Sequence, residues 1–175
     1  MKTKLLMVVV LAFMTAGATK AQETAKSPMD KVWFVDASVF ACKSHNGLMP
    51  EVGSVTGGLK PASWIQLFGR LEREITRYKH GEEKQWFSGL NAGGGIAFMH
   101  SAEDGEYGAL RMCVLNSINN SNWSHTIYQV SYAYYGKPLS KNAALFSEIG
   151  YRYNKSHTHD KSDCGGVFIG IGFCF

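Results

Sequence analysis

The chain has 175 residues, 45% of them hydrophobic and 13% aromatic, with 19 glycines and a formal net charge of +4. Lys2, Lys4 and Lys20 supply three of those charges and the first 21 residues hold no acid, so the rest of the chain is nearly neutral and offers no basic patch to nucleic acid. Beyond residue 21 no run approaches 18 consecutive apolar residues, which excludes a membrane-spanning helix and leaves a length suited to one domain.

Met1-Lys2-Thr3-Lys4 is a short cationic head before an apolar run from Leu5 to Met14. Small residues follow and end at Ala21. That layout predicts a secretory signal peptide over 1–21, too short to be a spanning helix, and one exported domain over 22–175. Four cysteines follow the signal, where an exported protein can oxidise them.

From Val32 onward apolar residues fall on every second position, the period of a β-strand. The first strand, 31–42, sets Trp33, Val35, Ala37 and Val39 against Asp36 and Ser38. Stretch 47–58 is a weak strand, with Pro50 and several glycines. Stretch 63–78 sets Ile65, Leu67, Gly69, Leu71 and Ile75 against Gln66, Phe68, Arg70, Glu72, Glu74 and Thr76. It is rich in helix formers, but the alternation of every neighbour favours a strand. Segment 85–99 puts Trp86, Leu90, Ala92, Ile96 and Phe98 on one parity and Asn91, Gly93, Gly95 and Ala97 on the other. In 106–117, Leu110, Met112 and Val114 oppose Arg111 and Cys113. Tyr128, Val130, Tyr132 and Tyr134 oppose His125, Gln129 and Ser131 in 123–135. In 141–154, Leu145, Ile149, Tyr151 and Tyr153 oppose Glu148, Arg152 and Asn154. The last stretch, from Cys164, alternates Val167, Ile169, Ile171, Phe173 and Phe175 with mostly small residues. Turn-like pieces at 59–62, 79–84, 101–105, 119–122, 136–140 and 155–163 separate the strands. Regular strands joined this way predict an all-β, up-and-down antiparallel barrel, with eight strands once 47–58 is counted.

The positions of the aromatics decide which parity is outside. Trp33 and Trp86 begin their strands, while Phe98, Tyr134, Tyr151 and Tyr153 end theirs. Mid-strand positions on that parity are mostly Val, Ala, Leu, Ile and Gly. Aromatic girdles around an aliphatic band are the pattern of a transmembrane β-barrel, whose apolar parity faces lipid. The other parity carries Asp36, Arg70, Glu72, Glu74, Arg111, Glu148 and Arg152, near balance in charge, which would pair inside a narrow lumen.

With its signal peptide, alternating strands and apolar last strand ending at Phe175, the chain resembles the small outer-membrane β-barrel proteins of Gram-negative bacteria, the group typified by OmpX and the OmpA membrane domain. The resemblance implies residence in the cell outer membrane, in contact with outer-membrane lipid and lipopolysaccharide. It also implies that Phe173 and Phe175 form the signal read by the barrel-assembly machinery. The expected barrel is a monomer without cofactor or metal, serving envelope integrity or surface interaction, with a lumen too narrow for a general diffusion pore. Arg73 and Arg77 break the apolar parity near the outer end of their strand, where lipopolysaccharide phosphates or solvent could meet them.

In a closed barrel the first and last strands are neighbours, so a disulfide between Cys42 and Cys164 would staple the seam at the outer rim. Cys113 and Cys174 are expected as small lumen-side thiols. The last loop gathers His157, His159, Asp160 and Asp163, donors that a metal could use but a hydrophilic loop explains equally. Two other functions stay open. One is a lipid A-modifying deacylase or acyltransferase at the outer rim, for which Ser156, His157, His159 and Glu148 are the candidate residues. Residues 157–160, HTHD, lack that deacylase family's His-x-Ser-Asn pattern. The other is an exported, soluble, lipocalin-like binder with the apolar parity inside.

Overall fold

A computed structural model describes residues 31–44, 48–80, 83–101, 105–119, 123–140, 142–159 and 162–175. The expected signal peptide and Asp160 lie outside these residues. Eight strands follow in chain order: β1 (Trp33–Ser44), β2 (Leu48–Ala62), β3 (Ile65–His80), β4 (Glu83–Ser101), β5 (Tyr107–Ser117), β6 (His125–Ser140), β7 (Ala143–Ser156) and β8 (Cys164–Cys174). Each pairs antiparallel with its chain neighbours, and β1 pairs with β8 to close an up-and-down barrel. The β1–β2, β3–β4, β5–β6 and β7–β8 connections share one end, the upper rim. The other three connections share the lower rim.

The register fixes the stagger of the wall. Cross-strand partners lead from Trp33 through Leu59, Leu67, Ile96, Met112, Val130, Tyr151 and Val167 to Lys43. One circuit therefore returns to β1 ten residues above its start, from Trp33 to Lys43. A closed sheet with such a stagger tilts its strands by about 35–45°. Ten tilted residues at about 3.3 Å each climb about 25 Å, the height of the apolar band of an outer-membrane barrel.

Segment 65–80 is a strand because its buried residues are two apart. Arg70, Glu72, Glu74 and Thr76 are all inside while Leu71 and Arg73 face out. A helix would scatter such residues around its circumference. The weak stretch around Pro50 also belongs to the sheet. Lys60 donates its N–H across to Val32, and strand alternation turns the nitrogen of Pro50 the same way. Pairing with β1 stops at Glu51, so the missing N–H of Pro50 removes no ladder bond.

Several expected turns are strand instead. β2 runs on to Ala62, with a register shift between Leu59 and Ala62 around Pro61. β6 extends through 136–140, and its pairing shifts on either side of Pro138. Both prolines interrupt the ladder without ending the strand, the usual place for proline in a sheet. Between β3 and β4, pairing persists to His80 and Glu83, so most of the expected 79–84 loop is ladder.

The outer wall is apolar. Ile169 is 65% exposed, and Val167, Ile171, Leu59 and Val39 are similarly bare. Trp33, Trp64, Phe98 and Tyr134 ring its lower part, and Tyr128, Tyr151, Tyr153 and Trp86 its upper part. The interior departs from the purely polar filling expected of the lumen. Phe34, Met99, Ala109, Tyr135 and Phe146 pack together at the lower end, and Phe40, Val52 and Phe168 form a second apolar cluster. These bulky side chains sit opposite glycines: a Cβ on Gly95 would meet the Phe68 ring, and one on Gly172 the Phe146 ring. Large residues over glycine fill a taper that polar side chains alone would leave open.

Candidate functional site

The principal constellation is the charged layer inside the barrel. Asp36, Arg70, Glu72, Glu74, Arg111, Glu148 and Arg152, from β1, β3, β5 and β7, are all no more than 3% exposed. Alternation along each strand turns them inward, and the closed wall brings them together. Arg152 lies between two carboxylates, its Nη1 donating to Glu72 Oε2 at 2.7 Å and its Nη2 to Glu74 Oε2 at 2.9 Å. Arg70 pairs with Glu72 through Nε at 2.9 Å and with Glu148 through Nη1 at 3.6 Å, and donates to Ser54 Oγ at 3.2 Å. Arg111 donates to Asp36 and to the Tyr135 hydroxyl, and reaches Glu148 at 3.8 Å.

Neutral groups complete the layer. Ser131 donates to Glu148, and Thr76 and Asn91 donate to Glu74. Aromatic faces support the guanidinium groups: Arg70 and Arg152 lie over Phe40 at 5.3 and 5.6 Å, and Arg111 over Tyr135 and Phe146 at 5.4 and 5.3 Å. Burying three guanidinium groups and four carboxylates is affordable because each cation holds two acids. These side chains leave almost no solvent-accessible surface in this layer. Its chemistry is that of a plug.

Trp123 covers the upper end. It is 3% exposed and stacks on His125 with ring centroids 4.3 Å apart, while Phe87 meets it edge-on at 6.3 Å. His125 Nε2 stands 3.6 Å from Glu74 Oε2 and so links this cap to the charged layer. Sequence reasoning missed both the cap and the apolar lower seal. Phe34, Phe40, Phe68, Phe146 and Phe168 on the polar parity were the available signal.

The four candidate catalytic residues are not assembled. Glu148 is deep in the lumen with Arg70 and Arg111, eight residues down β7 from Ser156, about 26 Å along the strand. Ser156 Oγ donates to the Thr158 carbonyl at 3.3 Å, and His157 Nε2 meets Thr126 Oγ1 at 2.7 Å. His159 is exposed at the rim. No group of His, Cys, Asp and Glu among the described residues is arranged to hold a metal ion. Asp163 instead bonds back to the upper end of β7, accepting from the Tyr153 hydroxyl at 2.5 Å and the Ser156 N–H at 2.8 Å. Those two donors, Tyr153 foremost, hold its carboxyl below the usual aspartate range.

The expected seam disulfide is not formed. Both cysteines are thiols, and the register sets Cys42 opposite Phe168 while Cys164 pairs with Asn154. Cys164 is thus four residues along β8 from the partner of Cys42, about 13 Å, whereas bridged Cα atoms lie about 4.4–6.8 Å apart. The seam's stagger, invisible in the sequence, separates them. Cys113 and Cys174 are buried on the lumen side. Phe173 and Phe175 stand half-exposed on the outward parity at the lower end of the seam.

No family model matches the chain, and no curated protein matches it at significant similarity. Among solved structures, the N-terminal β-barrel domain of Pseudomonas aeruginosa OprF is similar, with 12% sequence identity and a TM-score of 0.41 over 81% of this chain and 97% of that one. The eight-stranded closure of this chain rests on its own strand register.

Proposed function

We propose that the chain is an integral outer-membrane β-barrel with a structural or surface-interaction role and a lumen closed to general diffusion. The observation that carries this reading is the inverted distribution of polarity. Arg70, Arg111, Arg152, Glu72, Glu74 and Glu148 are buried at 0–3% exposure, while Val167, Ile169 and Ile171 are more than half bare. A soluble binder would hide those aliphatics around its ligand and show the charges to water. A continuous apolar exterior of this extent is not sustained in water. The barrel inserts with its upper rim toward the cell surface, where the lipopolysaccharide lies. The assembly machinery recognises Phe173 on β8 and Phe175 just beyond it.

Tryptophan fluorescence tests the orientation of the wall. Trp33, Trp64 and Trp86 are 55–62% exposed on the outside, whereas Trp123 is 3% exposed inside. In vesicles of lipid brominated high on the acyl chains, single-tryptophan variants retaining Trp33, Trp64 or Trp86 should be strongly quenched. A variant retaining only Trp123 should keep most of its emission. Equal quenching at all four positions would contradict the reading.

A further inference from the structure

The described part of the outer wall carries a depression. A groove of about 680 Å³ lies across the outside of β8, β1, β2 and β3. Its small residues on the outward parity are Ala41 and Gly53, and the larger side chains of Ile75, Ile169 and Ile171 stand around them. The register explains the shape. Ala41 lies across from Ile169 on β8, and Gly53 lies across from Arg73 on β3. Two small residues between aliphatic rows leave a shallow trough that crosses the four strands, each bordering it over about three residues.

A charge borders the groove beside Gly53. Arg73 lines it from the outward face of β3, six residues above Leu67 of the Trp33–Lys43 circuit and therefore near the top of the apolar band. Its guanidinium donates to the Ser88 hydroxyl, which steadies it, and among the described residues it has no carboxylate partner. Glu51, which also borders the groove, is taken by Arg77 at 3.2 Å, and Arg77 in turn lies over the Trp86 ring at 5.4 Å. On the outward faces of β1, β2 and β3 the described charges near the upper rim are Lys43, Arg73 and Arg77 against Glu51 alone. An apolar trough below a net positive edge fits an amphiphile with an acyl chain and an anionic head. A guanidinium fork suits phosphate oxygens in particular.

We infer that this groove is a lipid site, seating an acyl chain of a phosphate-headed lipid along Ala41 and Gly53 with its phosphate on Arg73. The inference rests on the membrane-barrel reading. The test uses the full barrel in detergent, probed by native mass spectrometry with phosphatidic acid and, as the zwitterionic control, phosphatidylcholine of the same chains. Heat-dependent gel mobility of each protein is recorded first. The wild type should retain phosphatidic acid in preference to phosphatidylcholine, and excess inorganic phosphate should not displace it. Arg73→Gln should lower retention about tenfold, the effect of one lost charge-assisted hydrogen bond. Ala41→Phe, which fills the trough, should lower it similarly. Lys155→Gln, an exposed cation on β7 away from the groove, should leave it unchanged.

Equal retention by a folded Arg73→Gln barrel would overturn the inference and leave the barrel standing. Displacement by inorganic phosphate would make Arg73 an ion site rather than a lipid site, which also overturns it. Absence of a heat-dependent band in every protein would overturn the membrane reading and the site together.

Discussion

Replacing Arg152 with methionine is expected to cost about 3–5 kcal/mol of unfolding free energy, the usual penalty for removing one partner of a buried ion pair. Among the described residues the guanidinium is the only cation placed between Glu72 and Glu74, at 2.7 and 2.9 Å. Without it Glu72 keeps Arg70, but Glu74 is left with Thr76, Asn91 and the ring of His125. These donors cannot offset a full charge where solvent does not reach. Urea titration of the folded barrel, followed by tryptophan fluorescence and by the fraction running as the unheated band, measures the loss. The triple variant Arg152→Met, Glu72→Gln, Glu74→Gln removes both carboxylates that Arg152 bridged and should recover most of it. No recovery would mean that the side chain matters for its packing on Phe40 and not for its charge.

The second large effect comes from outside the barrel. Ile169 is the middle residue of β8 and 65% exposed. Lysine there should cost about 2–4 kcal/mol in a bilayer, because the ammonium would sit near the membrane midplane. On a soluble protein the same substitution of an exposed side chain would fall within about 0.5 kcal/mol. Ile118, 57% exposed beyond the upper end of β5, is the control. Lysine at 118 should cost about 0–1 kcal/mol, since headgroups and water solvate it. Equal, small effects at both positions in vesicle unfolding would argue against a lipid-facing wall.

Much of the barrel was legible because a strand with two different sides must alternate. The seven charges of the lumen layer could be placed from parity alone, Arg70, Glu72 and Glu74 most plainly. What could not be read was how the strands slide past one another. Parity says that Cys42 and Cys164 both face the lumen near one rim. Only the ten-residue stagger between Trp33 and Lys43 shows that Cys42 meets Phe168 instead. Turn residues misled for a related reason. Pro61 and Pro138 mark ladder irregularities, and both strands outlast them because the neighbouring backbone still pairs. The apolar lower seal was written in the sequence as phenylalanines on the polar parity. Their meaning depended on the glycines facing them, Gly95 for Phe68 and Gly172 for Phe146, which are far away along the chain.

Membrane fractionation combined with gel mobility tests the central claim most directly. The protein should partition with outer membranes, and unheated samples in detergent should run at a different position from boiled ones, because a closed barrel of eight strands resists detergent until heated. A soluble periplasmic band with the same mobility before and after boiling would contradict a lipid-embedded barrel.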